Sequence, residues 1–259
     1  MLIAGAVLVV LGAVGIVLAH RSRSRLHAMI AADTLPVREL EEHRRTLADL
    51  GSAGSFRKVC EVVGQAAPHP DGPLRSDLTG TECVWHRHTT TRRYRVTERD
   101  SDGDWRTTER TQTVVDQTSS QGYAIVDATG IIGVDPNGTT PDAPERVAQR
   151  FEPVGAQHTG LLAAVAGGFG GHQEETIGFT HEEWVIRPGQ QLYVLGEVHD
   201  RIGPLVIGRP DASSDPFIIS TRSEAELRAG AQRTQRWWAW GGGALGAVGV
   251  VLLVLGIVL

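Results

Sequence analysis

Hydrophobic residues are concentrated at the two ends of the chain, whereas polar and apolar residues are mixed between them. Leu2–Ala19 is a run of eighteen residues without a charged side chain, and Trp237–Leu259 is a run of twenty-three. As helices these runs would be about 27 and 35 Å long, against about 30 Å for the hydrocarbon core of a bilayer. The pattern predicts two transmembrane helices, at residues 1–20 and 237–259.

The first apolar run has a second interpretation, a cleaved signal peptide. A signal peptide carries positive charge before its apolar region and a small-residue cleavage site after it. Here only Met1 precedes the run, and the basic residues Arg21, Arg23 and Arg25 follow it. We therefore favour an anchor helix.

Arginines beside both apolar runs predict the orientation of the chain. Basic residues collect on the cytoplasmic side of transmembrane helices. One set follows the first run and the other precedes the second, so we expect a multi-pass protein of the cell membrane whose middle domain is cytoplasmic. Tryptophans beside the second set fit an interfacial aromatic belt. The predicted membrane-interface residues are Arg21, Arg23, Arg25, Arg233, Arg236, Trp237, Trp238 and Trp240.

Small residues in the second apolar run predict close helix packing. Gly242, Gly246 and Gly249 recur at spacings of four and three residues, which lets another helix approach closely. The partner could be the first apolar run, another membrane protein or a second copy of this chain. We expect the lipid bilayer itself to be the other partner.

Between the apolar runs, the pattern predicts a β-rich region with a helix on each side. Residues 36–50 carry apolar side chains at helical spacing among charges, with Thr34 as the expected N-cap. From Arg57 onward, short runs rich in Val, Ile and Thr alternate with turns that contain Gly or Pro, which is typical of strands. Residues 82–97 and 105–115 are predicted to form the longest hairpin.

Two shorter signals complete the predicted organisation. Ala128-Thr129-Gly130 suits the turn of a second hairpin, and Ser223 with nearby glutamates suits the start of a second stem helix. The predicted fold class is an α+β membrane protein, in which two transmembrane helices flank one predominantly β soluble domain with helical stems. The predicted segments are a basic flank and stem helix at 21–54, the β-rich domain at 55–222 and a stem helix at 223–236.

Composition and charge exclude some classes of protein. Two cysteines in 259 residues do not form a disulfide scaffold, and in a reducing cytoplasm Cys60 and Cys83 would be free thiols. The net charge is −5, and the basic stretch Arg92–Arg95 is followed directly by acidic residues. A solvated hairpin explains that stretch better than a nucleic-acid interface, so we expect no nucleic-acid partner.

The segment Cys83–His88 is the main candidate for chemistry. Alternation along a strand puts His86 and His88 on one face and Cys83 on the other, and two histidines are too few for a structural zinc site. We therefore expect no metal and no cofactor, with His86 and His88 as weak candidate ligands. The segment His181–Trp184 lacks the second histidine of a zincin helix, and no nucleophile, base and orienting group can be assembled. No catalytic residue is predicted.

A series of motifs resembles the GIDE domain, also called BAM ("beside a membrane"). Its most specific part is Pro-Leu-x-Ser followed by Cys-Val, and a Gly follows later in a strand. The family-motif residues are Pro73, Leu74, Ser76, Gly80, Cys83, Val84 and Gly196. In mitochondrial members the domain belongs to an E3 ubiquitin ligase, and a zinc-binding RING follows the second membrane span.

This chain departs from that family pattern at its end. It stops at Leu259, and its two cysteines both precede the second apolar run, whereas a RING holds two zinc ions with eight Cys or His ligands. We therefore expect the RING to be absent and any RING to be supplied by another chain. The resemblance implies a component of an E3 ubiquitin transferase-like system without the catalytic module.

The leading functional hypothesis is a membrane-anchored, non-catalytic β domain that senses or binds a lipid headgroup or a partner protein next to the bilayer. Two alternatives stay open. One is a transferase-like or metal-dependent hydrolytic activity that uses Cys83, His86 and His88. The other is a structural protein that oligomerises through its second apolar run.

Overall fold

The computed structural model describes residues 32–99, 102–154, 174–212 and 215–223, together with isolated positions before residue 20 and after residue 224. The described chain is mostly β, with helix α1 at Val37–Asp49 and twelve strands. The strands are β1 (Arg57–Ala67), β2 (Leu74–Arg75), β3 (Glu82–Cys83), β4 (Trp85–Arg99), β5 (Trp105–Thr118), β6 (Tyr123–Val126), β7 (Ile131–Val134), β8 (Glu145–Pro153), β9 (Glu174–Ile186), β10 (Gln191–His199), β11 (Val206–Gly208) and β12 (Ile218–Ser220).

The predicted transmembrane architecture is corrected by the structure. Among the described residues, no helix has both the length and the apolar composition that crossing a membrane requires. Helix α1 has 13 residues, about 20 Å, and charged side chains occur along its whole length. The predicted fold class with two transmembrane helices is therefore wrong. Apart from isolated positions, the predicted spans, their flanking arginines and tryptophans, and the glycines of the second run lie outside the described residues.

The chain divides into two compact units, which the sequence pattern did not separate. One unit contains residues 1–64, 125–133 and 191–259, and the other contains residues 65–124 and 134–190. A six-stranded sheet with the order β1-β6-β7-β11-β10-β12 includes the strands of the first unit. The second unit contains a four-stranded sheet, β5-β4-β9-β8, and the two-stranded sheet β2-β3.

Strand β10 organises the six-stranded sheet. It pairs antiparallel with β11 and β12, and an additional β1–β10 pairing closes the sheet on itself. All residues from Leu192 to Val198 are buried, which explains the nearly continuous apolar sequence there. Gly196 is required because a Cβ at this position would lie 2.5 Å from the carbonyl oxygen of Gly208.

Helix α1 confirms the helix predicted for residues 36–50, but its N-terminus is held differently. Pro36 occupies the N-cap and provides no side-chain bond. Instead, Val37 N donates to Asp127 Oδ2 at 2.8 Å, and Arg38 N donates to Thr129 Oγ1 at 3.0 Å. Both acceptors lie in the predicted turn between β6 and β7. This turn therefore caps α1, in place of the residues that precede the helix in the sequence.

Thr34, the expected cap, has another role in the first unit. Its hydroxyl donates to Glu61 Oε2 at 2.9 Å, and the hydroxyl of Tyr193 donates to Glu61 Oε1. Glu61 is fully buried on β1. The two hydroxyl groups satisfy a carboxylate that would otherwise be costly to remove from water.

The four-stranded sheet confirms the predicted β4–β5 hairpin and extends it. Its register runs from Arg87↔Thr118 to Arg99↔Trp105. Strand β9 pairs with the other side of β4 and begins at Glu174. Strand β8 was not predicted, since its half-exposed, charged sequence shows little apolar alternation.

Candidate functional site

A buried carboxylate organises one face of the four-stranded sheet. Glu183 on β9 is fully buried and accepts four hydrogen bonds from the loop that joins β2 to β3. Ser76 Oγ donates at 2.9 Å, Leu78 N at 2.6 Å, Thr79 N at 3.1 Å and Thr79 Oγ1 at 2.6 Å. The loop is therefore fastened to the sheet through a single side chain, which we call the Glu183 anchor.

The Glu183 anchor is a charged acceptor at neutral pH. Burial by itself would raise the pKa of this carboxyl group, but the hydrogen bonds from Thr79, Leu78 and Ser76 outweigh that effect. The net pKa lies below the ordinary value of 4.5. Hydrogen bonds to an ionised acceptor are stronger than neutral ones, so the anchor rigidifies the loop.

The family-motif residues build the loop and its supports. Leu74 pairs with Cys83 across β2 and β3, and Cys83 and Val84 are buried. Gly80 has a φ of +66°, a backbone conformation that other residues rarely adopt. Ser76 donates a hydrogen bond to Glu183. Most residues of this motif therefore serve to pack the loop or to fix its backbone. Pro73 precedes β2, and Gly196 lies in the other unit, on β10.

His86 and His88 lie on the same face of β4, as predicted. Both lie near the carboxylate of Asp77, which belongs to the loop between β2 and β3. Asp77 Oδ2 lies 2.8 Å from His88 Nδ1 and 3.6 Å from His86 Nδ1. His88 is buried and lies opposite Glu183 in the β4–β9 register. The histidines thus contact the motif loop. Within the described ranges, no group of three or more His, Cys, Asp or Glu side chains is arranged to hold a metal ion.

A third histidine lies further along the same face. His181 Nδ1 is 3.1 Å from Thr90 Oγ1, and its Nε2 is 3.4 Å from Glu152 Oε2. Burial lowers the pKa of His181, and the nearby Glu152 acts in the opposite direction without reversing the shift. The ring is therefore neutral at pH 7 and serves as a hydrogen-bonding group within the sheet.

Neither cysteine is an activated nucleophile. Cys83 Sγ is buried and lies 3.7 Å from the carbonyl oxygen of Leu74, and burial raises its pKa to about 11. Burial raises the pKa of Cys60 to about 12. A reactive cysteine requires a lowered pKa and solvent access, so the arrangement around Cys83, His86 and His88 is unsuited to covalent catalysis.

Among the described elements of the second unit, strand β5 at the end of the four-stranded sheet has the longest run of exposed residues. Every residue from Trp105 to Thr113 is exposed, and the Trp105 side chain keeps 64% of its surface accessible. Three of its four charged side chains form ion pairs with β4: Asp116 with Arg87 at 2.7 Å, Arg110 with Glu98 at 2.9 Å, and Glu109 with Arg93. The strand therefore presents a long exposed edge on which most, but not all, of the charged side chains are paired with β4.

The first unit contains a concave surface beside α1. A groove of about 460 Å³ is lined by Val37, Arg38, Glu41, Glu42, Arg45, Thr129, Gly130 and Ile131. Its walls carry two arginines and two glutamates, so their charges compensate one another. This groove selects no sign of ligand charge and is a weaker candidate than the exposed sheet edge.

Together the fold and the site define a β-rich domain with a fastened motif loop, buried thiols and a long exposed edge. A family profile described as GIDE, E3 ubiquitin ligase, matches residues 93–256, more than half of the chain. The chain therefore belongs to the GIDE family and is an E3 ubiquitin ligase-related domain. No curated protein and no solved structure gives a match.

The family match confirms the resemblance drawn from the sequence, although it begins after the Pro73–Val84 segment that suggested it. Sequence reasoning missed the Glu183 anchor and the Asp77 contact. The available signal was an acidic residue on a β-branched strand together with a Ser- and Thr-rich loop, but the two are more than one hundred residues apart. Their pairing depends on the β4–β9 register.

Proposed function

We propose that this chain is a non-catalytic binding domain of an E3 ubiquitin ligase-related system, acting next to a lipid bilayer. Family membership supports the link to ubiquitin ligases. The observation that carries the binding role is the fully exposed run from Trp105 to Thr113 on an edge strand. Among the described strands, β5 pairs only with β4. A strand with a single neighbour offers its other edge to a partner.

The electrostatics of the second unit support binding over chemistry. The carboxylate of Glu183 accepts four hydrogen bonds, and the carboxylate of Asp77 forms a hydrogen bond with His88 at 2.8 Å. The thiol of Cys83 is protonated at neutral pH because its pKa is about 11. These groups stabilise the loop and the sheet, and the sheet in turn fixes the geometry of the edge.

The proposed location is the cell membrane, with residues 55–222 on the cytoplasmic side. Its support is the sequence alone: the uncharged runs at both ends and the arginines that flank the middle of the chain. Fractionation of cells that produce the full chain tests this location. Recovery in the membrane pellet after alkaline washing is expected, and recovery in the supernatant would overturn it.

The binding role is tested by chemical crosslinking of the full chain in native membranes, followed by identification of crosslinked peptides. We expect defined crosslinks from the four-stranded sheet to another protein. A RING-containing protein among these partners would favour the alternative that the ligase module is supplied by a separate chain. Crosslinks that join copies of this chain and nothing else would instead indicate a structural homo-oligomer and overturn the proposal.

A further inference from the structure

Resting on the proposed binding role, we infer that the outer edge of β5, residues 105–112, accepts an extended segment of a partner protein as an additional antiparallel or parallel strand. This mode of recognition uses backbone hydrogen bonds for affinity and alternate side chains for specificity.

The backbone groups available to such a segment follow from the hairpin register. Ser119 N donates to the carbonyl oxygen of His86 at 2.9 Å, which marks His86 as bonded to the β5 side of the hairpin. Along β4, the backbone N–H and C=O groups of every second residue continue to face β5. The β5 residues paired with Arg92, Tyr94, Val96 and Glu98 therefore direct their own N–H and C=O groups toward β4. On β5 the inward residues are therefore Arg106, Thr108, Arg110 and Gln112. The outward residues are Trp105, Thr107, Glu109 and Thr111.

The usable edge is limited by a β-bulge. Thr90 pairs with Val115 and Thr91 pairs with Thr113, which leaves Val114 as an extra residue in β5. A bulge interrupts the regular ladder and protects that part of an edge from pairing. Residues 105–112 contain no bulge, Pro or Gly, and include Thr107, Thr108 and Thr111, which favour the extended conformation.

A second copy of this chain is a poor occupant of the same edge. When two copies of the same strand pair antiparallel, a two-fold axis relates them. The axis lies between the two copies of one residue, which then stands opposite itself. An axis at Thr108 would place Arg106 opposite Arg110, an axis at Glu109 would pair two glutamates, and an axis at Arg110 would pair two arginines. Like charges directly opposite one another are destabilising. Axes nearer Trp105 shorten the pairing, and an axis at Thr111 or further along the strand brings in the bulge at Val114.

The side chains of the edge indicate the chemistry of the partner. Residues 105–112 contain two arginines and one glutamate, so the edge is net positive. Trp105 offers a large exposed apolar surface at its beginning. A matching segment would be rich in β-branched residues, with an acidic residue opposite Arg106 and an apolar one near Trp105.

The test is amide exchange on the full chain, with and without a short blocked peptide of alternating Val and Thr that carries one Glu. Binding at the edge should slow exchange several-fold at Thr107, Glu109 and Thr111, and leave the already bonded Thr108 and Arg110 unchanged. The same peptide with Lys in place of Glu should bind more weakly. Protection confined to another surface, or absent at saturating peptide, would overturn the inference.

A matched pair of variants separates the backbone from the side chain. Thr107→Pro removes an outward N–H, which an edge strand tolerates, and Thr107→Val keeps it. Both variants lose the hydroxyl contact with Thr97. We expect peptide affinity to fall about tenfold in Thr107→Pro relative to Thr107→Val, as expected for one lost hydrogen bond. Equal affinities would contradict the inference.

Two further readouts complete the test. Thr111→Pro removes a second outward N–H, so it checks the result if Thr107→Pro fails to fold. A concentration-dependent dimer that Thr107→Pro abolishes would show that a second copy occupies the edge, and would overturn the inference. If membrane crosslinks to another protein persist unchanged in a folded Thr107→Pro chain, the inference fails and the proposed binding role stands.

Discussion

The Glu183 anchor gives the sharpest stability prediction. In Glu183→Gln, the amide oxygen can take the place of Oε2, where Ser76 and Thr79 donate. The amide NH₂ then faces Leu78 N, which loses its 2.6 Å acceptor. An unsatisfied buried donor costs about 1–3 kcal/mol, and loss of the charged acceptor weakens the remaining bonds by about 1 kcal/mol in total. We expect a loss of about 2–4 kcal/mol in the free energy of unfolding.

Glu182→Gln is the matched control, since Glu182 is the adjacent residue and lies on the opposite face of β9. Its carboxylate makes an exposed ion pair with Arg146 at 3.2 Å, which is worth about 1 kcal/mol or less. Urea denaturation of both variants and the parent chain measures the difference. Equal effects of the two substitutions would refute the anchoring role of Glu183.

The same variant predicts a dependence on pH. The folded pKa of Glu183 lies below 4.5, so its contribution is fully present above that pH and is lost as the pH falls through the folded value. The stability difference between the parent and Glu183→Gln should therefore shrink on acidification below about pH 4.5. A difference that is constant down to pH 2 would contradict the assignment of a charged acceptor.

Three other predictions test separate parts of the structure. Gly196→Ala should destabilise the first unit by about 1–3 kcal/mol, because the new Cβ would lie 2.5 Å from Gly208 O. In the control Gly230→Ala, the new Cβ would have nothing within 4 Å, so thermal melts should show a neutral or slightly stabilising effect. Asp127→Asn should cost about 1 kcal/mol by turning an NH₂ group toward Val37 N, and amide exchange in the first turn of α1 should accelerate without a change in β9. Cys83 should resist thiol reagents in the native chain at pH 7, where a pKa of about 11 leaves about one thiolate in ten thousand, and should react on unfolding; rapid native labelling would be inconsistent with its burial.

Local patterns in the sequence predicted much of the β structure. The β4–β5 hairpin, the β6–β7 turn and helix α1 each depend on residues close together in the chain, namely β-branched runs, a Gly-containing turn and helical apolar spacing. The prediction that His86 and His88 share a face also needed no more than strand alternation. These features are local, so sequence reasoning could reach them.

The predictions that were wrong or missing concern contacts between residues far apart in the sequence, or the interpretation of apolar runs as transmembrane helices. Thr34 is a residue type that commonly caps helices, but its hydroxyl donates to the buried carboxylate of Glu61. Asp127, ninety residues from Val37, accepts the bond at the start of α1 instead. The two predicted transmembrane helices rested on apolar length alone, and no described helix meets that requirement. Likewise, the Ser76–Glu183 bond depends on a register that spans 107 residues.

Discharge of ubiquitin from a loaded E2 enzyme tests most directly whether this GIDE-family chain binds or catalyses. The purified full chain, added alone, should leave the discharge rate at the level of buffer, and Cys83→Ala should behave identically because the Cys83 thiol is buried and protonated. Acceleration by the parent chain that Cys83→Ala abolishes would contradict the proposed non-catalytic role.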